Sequence, residues 1–375
     1  MKVLITGSNG FIGKNLLLHL RERNDIEVVC FTRENSLDQL PALLTEVDFV
    51  FHLAGINRPQ NPQEFETGNA DLTRDLCGAV ADTVRRSGKK VPIIYTSSTQ
   101  ADRDNPYGQS KLAAEQVLFD LQKRFDVPVY VFRLPNVFGK WCKPNYNSAV
   151  ATFCHNIARD LPIQINDPVA PLTLVYIDDV VSCFVQIMDG LPVKTDGDGF
   201  VQLLPQYSTT VGEVAELIER FKRNQQTLQI ERVGVGFVRA LYSTYVSYLP
   251  KEEFAYSVPQ HGDARGVFVE MLKTPDCGQF SFFTAHPGVT RGGHYHHSKT
   301  EKFLVIKGNA RFKFRHMQTG EIYELMTTGE VSKVVETVPG WTHDITNVGE
   351  DELVVMLWAN EVFDHDRPDT YACPV

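Results

Sequence analysis

The chain has 375 residues, of which 43% are hydrophobic and 22% are charged, and its formal net charge is −9. This composition is typical of a folded globular protein, and the length favours two domains over one. The negative charge disfavours a surface built for nucleic acid or anionic lipid, so we expect neither partner. No apolar run reaches the length of a membrane span and the first residues run directly into a strand, so we expect a cytoplasmic protein.

The first half of the chain, to about residue 185, alternates short β-branched runs with amphipathic stretches of helical period. This alternation predicts βαβ units around a parallel sheet. The predicted strands are Val3 to Thr6, Glu27 to Phe31, Phe49 to Leu53, Pro92 to Thr96 and Val127 to Arg133.

The second half changes near residue 259 to short strands separated by Gly, Pro and Asn, which predicts an all-β sandwich or barrel. Eight of the eleven histidines also follow residue 250. We therefore predict a Rossmann-type α/β domain in residues 1–250 and an all-β domain in residues 251–375.

A glycine-rich turn follows the first predicted strand and opens a helical stretch. Its sequence is Gly7-Ser8-Asn9-Gly10-Phe11-Ile12-Gly13. Glycines at this spacing permit a tight turn and a close approach of the backbone to a pyrophosphate, while the helix N-terminus supplies N–H donors. The turn therefore predicts a dinucleotide site.

The second predicted strand ends near Arg33, and the stretch from Val28 to Arg33 contains no acidic residue; the first one after it is Glu34. An acidic residue at this place would bind the ribose 2′-OH of NAD, whereas an arginine pairs with the 2′-phosphate of NADP. Arg33 therefore favours NADPH as the cofactor. The alternative is that Arg33 is an ordinary solvated arginine.

A Tyr-x-x-x-Lys pattern lies downstream at Tyr107 and Lys111, and hydroxyl residues end the preceding strand at Ser98 and Thr99. A spacing of four places both side chains on one helical face. The ammonium group can then lower the pKa of the phenol and hold a ribose, while the tyrosine exchanges a proton with a carbonyl group.

These motifs together resemble the extended short-chain dehydrogenase/reductase family. Further family motifs are Asp48-Phe49-Val50-Phe51-His52-Leu53-Ala54-Gly55, Arg133-Leu134-Pro135-Asn136-Val137-Phe138-Gly139 and Val175-Tyr176-Ile177-Asp178-Asp179-Val180. The resemblance implies a nucleotide-sugar substrate and a catalytic triad of Ser98, Tyr107 and Lys111, with Thr99 as the alternative to Ser98. It also implies cofactor contacts from Leu53, Ala54 and Gly55 and a substrate contact from Asn136.

Two departures from that family concern the spacing. Only eight residues separate Ser98 from Tyr107, and the stretch between Phe31 and Asp48 is too short for another strand and its crossover. The residues after the catalytic hydroxyl also exclude one chemistry, because Thr99 and Gln100 cannot act as the acid and base of a 4,6-dehydratase. Reduction of a keto-sugar is the most economical alternative.

The second half carries a histidine-rich pattern, from which four side chains are expected to converge on one divalent metal. The predicted ligands are His294, His296, Glu301 and His343. Alternation along a strand directs His294 and His296 to one face. Three imidazoles and a carboxylate suit Zn²⁺, and Fe²⁺, Mn²⁺ and Ni²⁺ are also compatible.

The spacing of these ligands resembles both motifs of the cupin superfamily, including a Pro339-Gly340 pair before His343. A reductase fused to a metallocupin in turn resembles the bifunctional CapF-type enzymes of capsule and O-antigen synthesis. That resemblance implies epimerisation at C3 of a UDP-2-acetamido-2,6-dideoxy-4-hexulose in the cupin. It also implies reduction at C4 by NADPH, toward UDP-N-acetyl-L-fucosamine. We further expect a homodimer.

Two alternatives stay open. The cupin could bind metal, sugar or another subunit without catalysing a reaction, because a metal site alone does not prove catalysis. The whole chain could be a nucleotide-sensing regulator, although the intact Ser98, Tyr107 and Lys111 speak against this. For the base of the cupin, Tyr295, His297 and Lys302 are candidates, and none is assigned.

Overall fold

The computed structural model describes residues 1–296, 299–317, 319–338, 341–366 and 368–375. The chain divides into two compact units, one of residues 1–218 and 240–249 and the other of residues 219–239 and 250–375. Residues 219–239 thus group with the second unit, and the boundary between the functional domains stays a prediction.

A parallel five-stranded sheet forms the centre of the first unit, with the order β2-β1-β3-β4-β5. Its strands are β1 (Lys2–Thr6), β2 (Glu27–Phe31), β3 (Phe49–His52), β4 (Ile93–Ser98) and β5 (Val129–Leu134). β3 and β4 are buried along their whole length, as parallel strands are when helices cover both faces. The predicted Rossmann-type α/β fold is confirmed.

Helices follow the strands in the expected alternation. They are α1 (Phe11–Arg21), α2 (Leu40–Glu46), α3 (Gln63–Phe65), α4 (Leu72–Ser87), α5 (Pro106–Phe125), α6 (Ala149–Ile157), α7 (Ile177–Met188), α8 (Val211–Thr227) and α9 (Gly236–Val246). The short stretch between β2 and β3 forms a 3₁₀ turn at Leu37–Gln39 and then α2. A smaller sheet contains β6 (Asn136–Phe138), β7 (Pro171–Tyr176) and β8 (Tyr207–Thr210).

The second unit contains two sheets whose paired strands run antiparallel, in the orders β16-β13-β18-β11-β10-β9 and β15-β14-β17-β12-β19. The strands are β9 (Gln260–Asp263), β10 (Gly266–Lys273), β11 (Gln279–Ala285), β12 (Thr290–Tyr295), β13 (Glu301–Lys307), β14 (Asn309–His316), β15 (Ile322–Thr328), β16 (Val334–Glu336), β17 (Trp341–Asn347), β18 (Leu353–Ala359) and β19 (Tyr371–Ala372). This architecture confirms the predicted cupin fold.

The core of the second unit lies between its two sheets. Along β14 the buried Phe312 and Phe314 alternate with the more exposed Arg311 and Lys313. The ring of Phe312 packs 5.7 Å from the ring of Phe303 on the other sheet. Such alternation is what a sheet with one face on the core requires. In the described part of the chain, no helix combines the length and apolar character needed to cross a membrane.

Candidate functional site

The glycine-rich turn between β1 and α1 packs tightly against the loop that follows β3. Gly7 has a φ of +72°, and a β-carbon at this position would lie 2.6 Å from the backbone nitrogen of Ala54. A β-carbon on Gly13 would collide with the carbonyl oxygen of Gly7. Gly10 immediately precedes α1 and, as a glycine, has no side chain that could bond to the N–H groups of the helix N-terminus. The turn therefore presents backbone N–H groups to a ligand, as phosphate-binding turns do.

A cavity of about 660 Å³ lies beside this turn, within the usual size range for a small-molecule site. The predicted cofactor residues that line it are Gly7, Asn9, Gly10, Arg33, Leu53, Ala54 and Gly55. Among the described residues, the predicted Phe11, Ile12 and Gly13 do not line this cavity. They form the first turn of α1 behind it, so they support the glycine-rich turn.

Arg33 lies just beyond the end of β2 and lines the 660 Å³ cavity together with Glu34. It also lines a second cavity of about 390 Å³, shared with Arg58 and Tyr146. The Arg58 guanidinium lies 5.5 Å from the centre of the Tyr146 ring, in the range of a cation–π contact. The sequence analysis did not single out Arg58, because an isolated arginine in a loop has no distinguishing pattern.

The three predicted catalytic residues lie on β4 and α5. Ser98 ends β4, and Tyr107 and Lys111 lie one turn apart near the start of α5. Burial raises the pKa of Tyr107, contrary to the lowering expected from Lys111, and a hydrogen bond with Ser98 partly opposes that rise. Thr99, the alternative hydroxyl, is exposed. Of the two hydroxyl groups, that of Ser98 is the one that acts on the pKa of the tyrosine.

Lys111 is a buried cation. Its Nζ donates a hydrogen bond of 2.9 Å to the carbonyl oxygen of Thr96 and lies 4.9 Å from the centre of the Tyr95 ring. Burial lowers the pKa of Lys111 to about 8, although the negative charge of Glu115 opposes the shift. A β-carbon on Gly55 would lie 3.2 Å from this Nζ, so the lysine reaches the loop that lines the larger cavity.

A network of ionic groups centred on the buried Glu115 lies next to Ser98. Glu115 follows Lys111 by one turn of α5, and its carboxylate accepts hydrogen bonds from Ser97 and Arg133. Arg133 also donates a 2.7 Å hydrogen bond to the carboxylate of Asp102. The network ties α5 to β4 and β5 next to Ser98. Arg133 belongs to one of the family motifs in the sequence. Glu115 does not, and its only sequence signal is its place one helical turn after Lys111.

Asn69 is a second residue that the sequence analysis missed. It lies in a π-helical turn, Glu66–Asp71, and is buried. Its amide donates 3.0 Å hydrogen bonds to Ser110 and to the Ile56 carbonyl, and its oxygen accepts from the Ile56 N–H. A π-turn often marks a functional position, but no sequence pattern reveals one. The predicted substrate residue Asn136 begins β6, where it is exposed and donates to the Thr173 carbonyl.

The four predicted metal ligands converge in the second unit. The ligand atoms of His294, His296, Glu301 and His343 all lie within 4.8 Å of one another. A β-bulge after Gly292 places His294 directly opposite His343 on β17. Glu301 begins β13 on the facing sheet. Imidazole nitrogens and a carboxylate oxygen are ligands that divalent transition metals accept, so these four side chains could hold one such ion.

The chemistry of these side chains fits a cation. His343 is buried, and its Nε2 lies 3.5 Å from Oε2 of Glu301, but neither ring nitrogen meets the geometry of a hydrogen bond with another described residue. Burial opposes ionisation of Glu301, yet His296, His343 and Lys299 outweigh it and hold the carboxyl pKa well below its usual range. Burial lowers the pKa of His294 to about 4, so its ring is neutral and able to ligate.

The candidate bases of the cupin lie apart from the ligands or are engaged elsewhere. The Tyr295 ring stacks on Tyr371 with a centroid distance of 5.3 Å, and Lys302 forms an ion pair with Glu336. His297 lies outside the described residues, as do Pro339 and Gly340 of the second motif. Lys299, which the sequence analysis did not weigh, is buried with its Nζ 3.2 Å from Glu301.

The fold and these two groups of residues define a dinucleotide-binding enzyme domain joined to a cupin. Residues 3–197 match the NAD dependent epimerase/dehydratase family, and residues 261–371 match the polysaccharide biosynthesis C-terminal domain. A relative from Pseudomonas aeruginosa is 64% identical over all of this chain and 99% of its own length. That relative is named UDP-2-acetamido-2,6-beta-L-arabino-hexul-4-ose reductase.

Solved structures agree with these matches. The capsular polysaccharide assembling protein CapF from Staphylococcus aureus is 42% identical, with a TM-score of 0.89 over the whole of both chains. A UDP-glucuronic acid 4-epimerase from Bacillus cereus is 20% identical and has a TM-score of 0.54, covering 66% of this chain and 96% of its own, which shows the fold alone. The chain belongs to the CapF-type family of capsular polysaccharide enzymes, in which an NAD dependent epimerase/dehydratase domain precedes the C-terminal cupin.

The buried network around Glu115 generates the first prediction. Glu115→Gln keeps the size of the side chain but removes the charge opposite Arg133, which keeps its ion pair with Asp102, so the fold should lose about 1–3 kcal/mol of stability. The same change should lower the pKa of Lys111 further below 8. As the pH rises, Lys111 should therefore lose its charge at a lower pH in the variant than in the wild type. Thermal unfolding and the pH profile of reduction measure the two effects.

The exposed Asp120 lies on the same helix, and Asp120→Asn is the matched control, with an expected change under about 0.5 kcal/mol. An equal loss of stability in both variants would show that the Glu115 network has no special role.

Proposed function

We propose that residues 1–250 reduce the C4 ketone of a UDP-2-acetamido-2,6-dideoxy-4-hexulose with NADPH. The observation that carries the proposal is the meeting of Ser98, Tyr107 and Lys111 at the end of β4, where Lys111 reaches a residue of the large cavity. The name of the Pseudomonas relative, a reductase of a UDP-4-keto sugar, supports this substrate class.

Each of the three residues has a separate task. Tyr107 is protonated at neutral pH, since the ordinary pKa of a tyrosine is near 10 and burial raises it further, so it can donate a proton to the carbonyl oxygen of the sugar. The Ser98 hydroxyl donates a hydrogen bond to the same oxygen. The Lys111 ammonium holds the ribose hydroxyls and stabilises negative charge on Tyr107 after the proton has left. The bound dinucleotide supplies the hydride.

Arg33 supports NADPH over NADH. Its guanidinium lines both cavities at the end of β2, where the ribose 2′ substituent lies in dinucleotide-binding domains. Arginine can hold a phosphate through two parallel hydrogen bonds. Glu34 beside it lines the same cavity, so the preference depends on which of the two side chains faces the ribose.

We further propose that residues 251–375 epimerise C3 of the same sugar before reduction. A ketone at C4 acidifies the C3 proton, so that removing it and returning it to the other face inverts the centre. The cluster of His294, His296, Glu301 and His343 supports this step because it can hold a divalent cation, for which Zn²⁺ is our choice. Such a cation supplies positive charge for the oxygen of the sugar.

The broader role follows from the family. We propose that the chain acts in the cytoplasm, as a homodimer, on the route to UDP-N-acetyl-L-fucosamine for capsule or O-antigen. The runner-up is a reductase whose cupin binds metal or sugar without epimerising the sugar. The His296→Ala experiment below separates the two.

Replacing Tyr107 with Phe should reduce NADPH oxidation with a 4-keto sugar by about 100-fold or more, because the proton donor is lost. Cofactor binding should stay nearly intact. Ser98→Ala should also reduce turnover strongly, whereas Thr99→Ala is the matched control and should stay within a few-fold of wild type. Steady-state kinetics and NADPH titration measure both quantities. Turnover near the wild-type value in Tyr107→Phe would remove the tyrosine from the mechanism.

Arg33→Asp should raise the KM for NADPH by about tenfold or more and change that for NADH little, since it replaces a phosphate partner with a repelling charge. Arg86→Asp makes the same charge change at an exposed position on α4 and should leave both values unaltered. If the wild-type enzyme used NADH and NADPH equally well, that result would contradict the role of Arg33.

His296→Ala should lose bound metal and stop the incorporation of solvent deuterium at C3 of the keto-sugar in the absence of NADPH. Reduction of an already epimerised ketone should continue through Tyr107 and Lys111. Metal analysis and NMR of the sugar measure these outcomes, and His261→Ala, at an exposed position of β9, is the control. Exchange at the wild-type rate in metal-free His296→Ala protein would leave the cupin as a binding module.

A further inference from the structure

The last residues of the chain run alongside the ligand-bearing strands of the cupin. β19 pairs antiparallel with β12, so that Ala372 lies opposite the ligand His294. The N–H of Cys373 donates a 2.8 Å hydrogen bond to the Gly293 carbonyl. Residues 369–374, which we name the C-terminal clamp, are therefore an additional strand edge beside the cluster.

The clamp also contacts a ligand side chain directly. Nδ1 of His296 lies 2.5 Å from the backbone carbonyl oxygen of Asp369. A carbonyl only accepts hydrogen bonds, so this contact requires a proton on Nδ1 and leaves Nε2 with its lone pair in the neutral ring. That Nε2 lies 3.1 Å from Oε2 of Glu301. Two acceptors at this distance need a positive charge between them, which a cation or a proton supplies.

Asp369 makes a second contact, with the backbone of Lys299, which precedes Glu301 by two residues. Its carboxylate accepts a 2.8 Å hydrogen bond from the backbone N–H of Lys299. The ammonium group of Lys299 lies 3.2 Å from the other oxygen of Glu301. A single residue of the clamp thus bonds to the ring of one ligand and to the backbone two residues before another.

The rest of the clamp is anchored to the same sheet. The Thr342 hydroxyl, next to the ligand His343, donates to the carbonyl of Cys373. Arg315 on β14 donates a 2.7 Å hydrogen bond to the carbonyl of Pro374. These bonds connect the clamp to β17 and β14, so its position relative to the three histidines is defined on several sides.

We propose that the C-terminal clamp fixes the tautomer and orientation of His296 and thereby sets the affinity of the cluster for its divalent cation. The inference rests on the proposed metal site. Groups that hold the second nitrogen of a ligating histidine contribute about 10- to 100-fold to metal affinity. Removing the clamp should weaken cation binding by a similar factor.

The test compares the full chain with a chain truncated after Pro368 and with Asp369→Ala, using Zn²⁺ competition against a chromophoric chelator. The truncated chain should bind Zn²⁺ about 10- to 100-fold more weakly, and Asp369→Ala should fall between the two. Asp366→Ala, at an exposed position just before the clamp, is the control and should bind as the full chain does.

A second measurement does not depend on how well the truncated chain folds. Nitrogen-15 NMR of histidine in the Zn²⁺-loaded full chain should show His296 bound to the cation through Nε2 and protonated at Nδ1. Binding of Zn²⁺ through Nδ1 of His296 would overturn the proposal, and so would equal Zn²⁺ affinity with and without the clamp. A full chain that binds no divalent cation would overturn the metal site itself, and the clamp with it.

Discussion

Each unit buries an ionised side chain next to its site, and the neighbouring side chains are arranged to compensate the charge. Lys111 is 6% exposed and Glu301 is 5% exposed. Burial of an unpaired charge costs several kcal/mol, so neither group could stay ionised without close partners. The Thr96 carbonyl and the Glu115 carboxylate serve the lysine, while Glu301 lies among imidazoles and the ammonium of Lys299.

The two proposed reactions use one functional group of the sugar. A ketone at C4 accepts a hydride at its carbon, and it also makes the neighbouring C3 proton acidic. The first unit meets the hydride reaction with a proton donor, Tyr107, which lies one helical turn before the buried ammonium group of Lys111. The second meets the proton transfer with a cluster of three imidazoles and one carboxylate, which suits a cation and not a dinucleotide. Fusion of the two in one chain is therefore chemically coherent.

The sequence predicted those features that depend on local spacing. The glycine-rich turn follows from the spacing of its glycines between a strand and a helix, and the Tyr107–Lys111 pair follows from the period of a helix. The features that it missed depend on contacts distant in sequence. Glu115 meets Arg133 only when β5 packs beside β4, and Asp369 meets His296 across more than seventy residues. Neither contact has a sequence pattern, because each requires the assembled sheet.

The position of isotopic label in the product tests the account of two reactions most directly. The full chain would convert the UDP-4-keto sugar with NADPH in deuterium oxide and, separately, with NADPH deuterated at the transferred position in ordinary water. NMR of the sugar should locate solvent deuterium at C3 in the first product and cofactor deuterium at C4 in the second. A first product without deuterium at C3 would contradict epimerisation by this chain and leave reduction as its single reaction.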